Sequence, residues 1–393
     1  MNASRHPIEP ADMADGPPHR PLTVCYPFAG DVMGGSHVSL RGLLDGLDRD
    51  KVRIIIVPEV PDGRLAEHYT SFEQIPDPSP PDRPFEAGVP FGVSEIFRTL
   101  PSVMKRARFL KEHGVDIVHT NDGRSHASWA LPAKIAGAKL LWHHRGNPTA
   151  RGLRFVAPLL ADRIVTVSSF ALPRTKRGSA RSARVVHSPF DVSITVDRVE
   201  ARKRILSELD LAEDTVICGY FGTFIDRKKP LEFIETVELL AELEDRPVVG
   251  LLFGEAVEPE LGRAVEERVK ASEGTAILMG YRTPGHEWLG GCDLLLVPAI
   301  EEPLGRTLVE AMLVGTPVVA THSGGNPEAL RGDCGIFVPP GDCLAMARTA
   351  HELLADDLRR SDITERARVS AKDRFSRERH VAAIEAIYHE LVQ

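Results

Sequence analysis

The chain has 393 residues, 42% hydrophobic and 26% charged, an ordinary composition for a soluble globular protein of two or three domains. Its formal net charge of −8 argues against a dedicated nucleic-acid binder, and no apolar run reaches the length needed to cross a bilayer. Five cysteines (Cys25, Cys218, Cys292, Cys334 and Cys343) show neither close metal spacing nor a disulfide framework, the pattern of reduced, buried thiols in a cytoplasm.

Residues 1–21 are polar and Pro-rich, so a disordered tail is expected, and they lack the apolar core of a signal peptide. Residues 22–28 (LTVCYPF) read as a strand, followed by AGDVMGGSH and a helix over 38–47. A turn carrying Gly34 and Gly35 between strand and helix lets a backbone approach a phosphate, although its spacing is not that of a dinucleotide fingerprint. Residues 52–58 (VRIIIVP) are a second strand, and the Pro-rich stretch 75–92 is loop.

Residues 98–113 include a basic amphipathic helix. Val103, Met104, Ala107 and Leu110 form its apolar face, and Lys105, Arg106, Arg108 and Lys111 its charged one. A solvated surface helix is expected, with peripheral contact at the inner membrane face as the alternative. Residues 115–120 are a strand whose end presents His119, Asn121 and Asp122; a helix over 125–136 follows, then a strand over 139–143 leading to His143, His144 and Arg145. Polar groups at strand carboxyl ends are where open α/β sheets bind ligands. Strands over 163–167 and 183–187 enclose a basic loop, residues 174–184, either solvated or facing an anionic acceptor.

After a linker near residues 192–199 the alternation restarts. A helix over 201–209 precedes a strand over 216–221, a turn carrying Thr223, Arg227, Lys228 and Lys229, and a helix over 231–243. Strands over 247–253, 276–279 (before Tyr281 and Arg282) and 293–298 follow, with a helix over 258–272. The remainder beyond residue 328 reads as helical, ending in a helix over 377–393 with the stripe Val381, Ile384, Ile387 and Leu391. Strands alternating with helices give parallel sheets, here twice, and two such domains face each other across a cleft.

Residues 298–328 (PAIEEPLGRTLVEAMLVGTPVVATHSGGNPE) are the most informative stretch. Leu308, Ala311 and Met312 recur at helical spacing, Gly315 and Pro317 end the helix, and Arg306, Thr307 and Glu310 share its other face. Free amides at its start attract anions, where Glu302 already stands. A purely local reading, Glu310 pairing with Arg306 and Glu302 capping the helix, explains only part of the pattern.

E-P-L-G-x-T-x-x-E-A-M-x-x-G-T-P-V-V-A-T over residues 302–321 resembles the core of the family 4 glycosyltransferases, retaining enzymes of the GT-B fold that use nucleotide sugars. Their two signature glutamates fall on Glu302 and Glu310, and the following G-G-x-P-E on Gly324, Gly325, Pro327 and Glu328. The resemblance implies an N-terminal acceptor domain over 22–192, a C-terminal donor domain over 200–376, and a terminal helix, 377–393, returning to the first domain. It implies that Glu302 hydrogen-bonds the donor sugar beside the amides of Leu304, Gly305 and Thr307. Glu310 would hold the ribose, Lys228 would neutralise the diphosphate, and backbone near Tyr281 and Arg282 would meet the base. Gly34 and Gly35 would approach the diphosphate, and His119, His144 and Arg145 would lie near the acceptor.

The chain departs from the family where Thr223 stands for an arginine, with Arg227 as the substitute cation, where Asn121 stands for a histidine, and where Ser188 stands for an asparagine. Asn121 can bond a hydroxyl but cannot act as a general acid or base. The expected enzyme is a metal-independent retaining hexosyltransferase without a cofactor. It would take UDP- or GDP-sugar as co-substrate and glycosylate a hydroxyl of a glycan, a lipid-linked or a small acceptor. A nucleotide-sugar epimerase and a catalytically weak sugar-nucleotide-binding protein are the alternatives. Asp48–Arg49–Asp50 is read as a turn rather than a metal motif.

Overall fold

The computed structural model describes residues 20–80 and 93–393, the side chains of 93–99 excepted. The expected tail up to residue 19 and residues 81–92 of the Pro-rich loop lie outside these residues. Arg20, assigned to the tail, is instead tied down by a bidentate ion pair with Asp116 at 2.5 and 2.8 Å.

The first sheet holds β1 (Leu22–Phe28), β2 (Val52–Pro58), β3 (Glu73–Gln74), β4 (Ile117–Thr120), β5 (Lys139–His144), β6 (Arg163–Thr166) and β7 (Arg184–Val185), in the order β3-β2-β1-β4-β5-β6-β7. The second holds β8 (Val216–Phe221), β9 (Val248–Phe253), β10 (Ala276–Gly280), β11 (Leu294–Val297), β12 (Val318–Thr321) and β13 (Ile336–Val338), in the order β10-β9-β8-β11-β12-β13. Every pairing is parallel. Near-continuous apolar runs such as CYPF and VGLLF are what a sheet buried on both faces requires. In each sheet the strand order reverses beside the first strand, between β1 and β4 and between β8 and β11. A reversal opens a crevice at the strand carboxyl ends, which is where such sheets take ligands.

The terminal helix, Arg377–Val392, buries Val381, Ile384, Ile387 and Leu391 against Val24, Tyr26, Leu40 and Leu43 of the first sheet and its helix Gly35–Leu44. A second apolar cluster joins the two halves, with Val167, Ala171 and Phe190 packed among Leu304, Leu308, Met312 and Phe375. Leu308, Ala311 and Met312 are fully buried, as their spacing predicts, and burying a leucine contributes about 1.5–3 kcal/mol. Gly315 closes their helix, Arg306–Val314, at φ 79°, a left-handed conformation that favours glycine.

Three expectations need correction. The segment after residue 328 is not wholly helical, because β13 forms the sheet edge. Three apolar-leaning residues carry too little pattern to read as a strand. In the helix Val93–Glu112, Arg106 belongs to the interior: it is 6% exposed and clasps Asp77 at 2.7–3.2 Å. Met104 is exposed instead, and Phe109 is buried beside Ala107 and Leu110. The buried carboxylate of Asp77 rotates the inward face of this helix toward Arg106.

Candidate active site at the strand-order reversals

At the carboxyl ends of β8 and β11 lies a small pocket open to solvent. Lys228, Glu302, Gly305 and Thr307 line it together with Tyr220, Phe221 and residues 296–299. Each polar group is placed by local backbone. Lys228 sits on a short turn, Asp226–Lys228, and its amine folds back over Gly222, where an added Cβ would lie 2.5 Å from Nζ. The loop before helix Arg306–Val314 is held by a glycine pair: a Cβ on Gly324 would meet Glu302 N and O at 2.5 Å, and one on Gly325 would meet Pro303 O at 2.3 Å. Only glycine allows that approach, which gives the G-G of the signature a structural reason. Gly305 caps the helix at φ 74° without a side-chain bond; Leu308 N donates to Gly305 O at 3.1 Å, which leaves the amides of Arg306 and Thr307 without a partner within the helix.

Among the other residues proposed for the donor, Arg227 donates to Glu302 Oε2, and its carbonyl accepts from Ile300 N at 2.8 Å. Glu310 receives Arg306 Nη2 at 3.3 Å, the local pair weighed above. Glu302 does not cap the helix. Leu304 is buried in the shared apolar cluster and contributes only backbone to the loop. Thr223 is exposed and does not line the pocket. Tyr281 is 75% exposed, while Arg282 turns to Glu208 at 2.8 Å and stacks on Trp288. Gly34 caps helix Gly35–Leu44 in extended conformation; a Cβ on Gly35 would lie 2.8 Å from Arg306 Cδ. That glycine therefore makes room for a cross-cleft arginine.

The facing wall, at the ends of β4 and β5, is a polar network whose protons can be assigned. Arg145 can only donate, and its Nη2 reaches His143 Nδ1 at 3.4 Å. His143 Nδ1 is therefore an acceptor, so His119 Nε2 donates to it at 3.1 Å. His119 Nδ1 must then accept from the Tyr388 hydroxyl at 2.6 Å, and Tyr388 from Tyr26 at 2.7 Å. The remaining His143 proton, on Nε2, is buried without a partner. Burial, and after it Arg145, holds the His119 and His143 rings well below the usual histidine pKa, hence neutral. His119, proposed for acceptor contact, is fully buried with both nitrogens engaged, so it positions its neighbours. Asn121 is buried; its Nδ2 donates to His119 O and its Oδ1 accepts from Arg145. His144 is also buried and donates from Nε2 to Asn147 O at 2.9 Å.

Several contacts close the cleft that sequence spacing does not indicate. Arg306 Nη1 donates to Ser39 Oγ at 2.7 Å, and its guanidinium lies over the Phe190 ring at 4.2 Å. Glu328 accepts from Ser169 N at 2.6 Å and from His187 Nε2 at 2.7 Å. Burial works to raise the Glu328 pKa, but these donors outweigh it and the net direction is down. Glu301, at φ 50°, accepts from Asn147 Nδ2 at 2.7 Å. The strained backbone at Glu301, next to Glu302, is the kind of outlier that clusters at functional sites.

A family model described as Glycosyltransferase Family 4 matches residues 33–194, and one described as Glycosyl transferases group 1 matches residues 215–356. A D-inositol 3-phosphate glycosyltransferase of Geodermatophilus obscurus is 31% identical over 289 residues, 66% of this chain and 61% of that protein. The N-acetyl-alpha-D-glucosaminyl L-malate synthase of Bacillus anthracis is 34% identical over 122 residues, 31% of this chain and 32% of that protein. The matched stretch is less than two thirds of the length of either relative. Among solved structures, HepE of Anabaena in complex with UDP and glucose superposes with a TM-score of 0.79 at 19% identity, covering 94% of this chain and 100% of that one. That likeness establishes the GT-B architecture of two facing parallel-sheet domains. With the two family models matched in order along the chain and the first signature glutamate, Glu302, lining the β8/β11 pocket, the chain belongs to the family 4 glycosyltransferases.

Proposed function

We propose that the protein transfers a hexosyl unit from a UDP- or GDP-sugar to an acceptor hydroxyl, with retention at the anomeric carbon. The convergence of Lys228, Glu302 and the first-turn amides of helix Arg306–Val314 in one pocket carries this reading. Breaking the sugar–diphosphate bond builds negative charge on the leaving phosphate. Fixed cations and amides aimed at that charge lower the barrier, and such preorganisation is usually the largest catalytic term. Lys228, Arg227 and the helix N-terminus supply it, so the reading needs neither a resident metal nor a cofactor. Glu302 is the group for the sugar hydroxyls and Glu310 the group for the ribose.

Retention is favoured because the wall opposite the pocket offers Asn121, which cannot act as a base, and His119, which is buried with both ring nitrogens engaged. The acceptor oxygen then bonds to the anomeric carbon on the face the diphosphate leaves, and the leaving phosphate takes the acceptor proton. The relatives' names mention inositol 3-phosphate and L-malate, which supports a hydroxyl-bearing acceptor.

Among the described residues no helix is long and apolar enough to cross a membrane. Five buried, unpaired thiols suit a cytoplasmic location, and the exposed Lys105, Arg108 and Lys111 suit peripheral contact with an anionic membrane. The test is a screen of nucleotide sugars for nucleoside diphosphate release, with the anomer of the product read by NMR. One donor is expected to be consumed with retention. An inverted product sinks the retaining reading, and epimerised donor without transfer favours an epimerase.

A further inference from the structure

Arg145 is unlike the other inward-facing arginines of this protein. Arg106 holds Asp77 bidentately at 2.7–3.2 Å. Arg198 reaches Thr316 Oγ1 at 2.5 Å and Cys292 O at 3.0 Å, and Arg374 donates to the carbonyls of Glu328 and Ala329. Each of these cations has at least one short, strong acceptor. The Arg145 guanidinium has four contacts, all to neutral groups and all long: Asn121 Oδ1 at 3.3 Å twice, Ser188 Oγ at 3.2 Å and His143 Nδ1 at 3.4 Å. No carboxylate pairs with it among the described residues, and the charge that acts on it most strongly is another cation, Arg306. Burial and then Arg306 lower its pKa, the mark of a cation short of compensation. His37 beside it is also neutral: burial and then Arg145 bring its pKa down to about 4, and its Nδ1 accepts from Gly34 N, which leaves the ring proton on Nε2 as a further donor.

A guanidinium fork with weak neutral partners, subject to the field of a second cation and near a neutral histidine donor, has the electrostatics of an anion site. Its position narrows the ligand. Arg145 follows β5 in the first domain, adjoining Asn121 at the end of β4, whereas Lys228 and the helix N-terminus stand at the β8/β11 crevice of the second.

We propose that the acceptor carries a phosphate or carboxylate and that Arg145 binds it. This deepens the transferase reading and rests on it, because it takes the first domain to be the acceptor side. The anion fixes the acceptor while its hydroxyl faces the donor pocket. The same chemistry belongs to a soluble phosphorylated or carboxylated molecule and to a phospholipid headgroup.

The experiment uses the full-length protein as wild type, Arg145→Gln and Arg145→Lys, with folding checked by thermal melting. Inorganic phosphate and malonate are titrated by calorimetry with and without saturating UDP, and vesicles of phosphatidate or phosphatidylcholine are tested by sedimentation. Arg145→Gln is expected to weaken phosphate or malonate binding by roughly 10- to 100-fold while UDP affinity stays within about twofold, and Arg145→Lys to recover part of the loss. Vesicle binding that needs both phosphatidate and Arg145 identifies a headgroup as the source; its absence alongside phosphate or malonate binding identifies a soluble acceptor. Equal anion binding by wild type and Arg145→Gln overturns the proposal. So does a matching loss of UDP affinity, which would assign the cation to the donor diphosphate. Failure of wild type to bind UDP or GDP overturns the donor reading instead, and the titration without nucleotide still decides the role of Arg145.

Discussion

Arg227 and Glu302 form an ion pair beside the β8/β11 pocket, Arg227 Nη1 on Glu302 Oε2. The cation proposed for the diphosphate thus orients the carboxylate proposed for the sugar, an arrangement that would couple the two roles. With side chains 36% and 13% exposed, the pair contributes only about 0.5–1 kcal/mol to stability after solvent screening. A double-mutant cycle with Arg227→Gln and Glu302→Gln is expected to show this small coupling in denaturant unfolding. It should show a coupling at least as large in kcat/KM. Additive kinetic effects would mean that the pair has no part in the site.

In the proposed reaction, Lys228 and the helix amides act on charge that develops during bond breaking. Lys228→Ala is therefore expected to lower kcat by about 10²–10³-fold, the effect of losing one preorganised donor, with a smaller change in KM for the donor. A rise in KM alone would make Lys228 a ground-state binding group.

Arg106 and Asp77 tie the helix Val93–Glu112 to the loop after β3, with side chains 7% and 3% exposed. Asp77→Ala leaves a buried guanidinium unpaired and is expected to cost about 3–5 kcal/mol of unfolding free energy. Denaturant titration checks this, and a change under about 1 kcal/mol would show that water or another group replaces the carboxylate.

Stability is expected to fall on mild acidification. Burial, then Arg145, brings the His380 pKa down to about 3, and burial brings His37 down to about 4. His119, His126 and His143 lie well below the ordinary value for the same first reason. Unfolded, these rings titrate near ~6.5, so between that pH and about 4 the unfolded chain binds more protons and stability drops as pH falls. The melting temperature should be flat above about pH 7 and decline steadily from pH 6.5 to 4, less steeply in His380→Gln. A flat profile down to pH 5 would mean that the histidine cluster is hydrated.

The elements that local pattern determines were legible before the structure. β2 and β8 fall on the expected residues because each is an apolar run bounded by polar turns. The helix Arg306–Val314 is readable from its stripe and from Gly315. What was not legible depends on distant partners. Arg106 reads as surface charge until Asp77 is seen opposite it. Tyr388 lies outside the stripe read from the sequence, and its bond to His119 spans 269 residues of chain. The role of Arg145 rests on what does not surround it, and no local spacing records that.

The proposed function requires that the β8/β11 crevice bind a nucleoside diphosphate with the help of the second signature glutamate. It is tested most directly by calorimetric titration of UDP and GDP into wild type and Glu310→Ala. One of the two nucleotides should bind wild type and bind Glu310→Ala about tenfold or more weakly, the loss expected for charge-assisted bonds to ribose hydroxyls. Binding of neither nucleotide, or equal affinity in both proteins, would contradict the account.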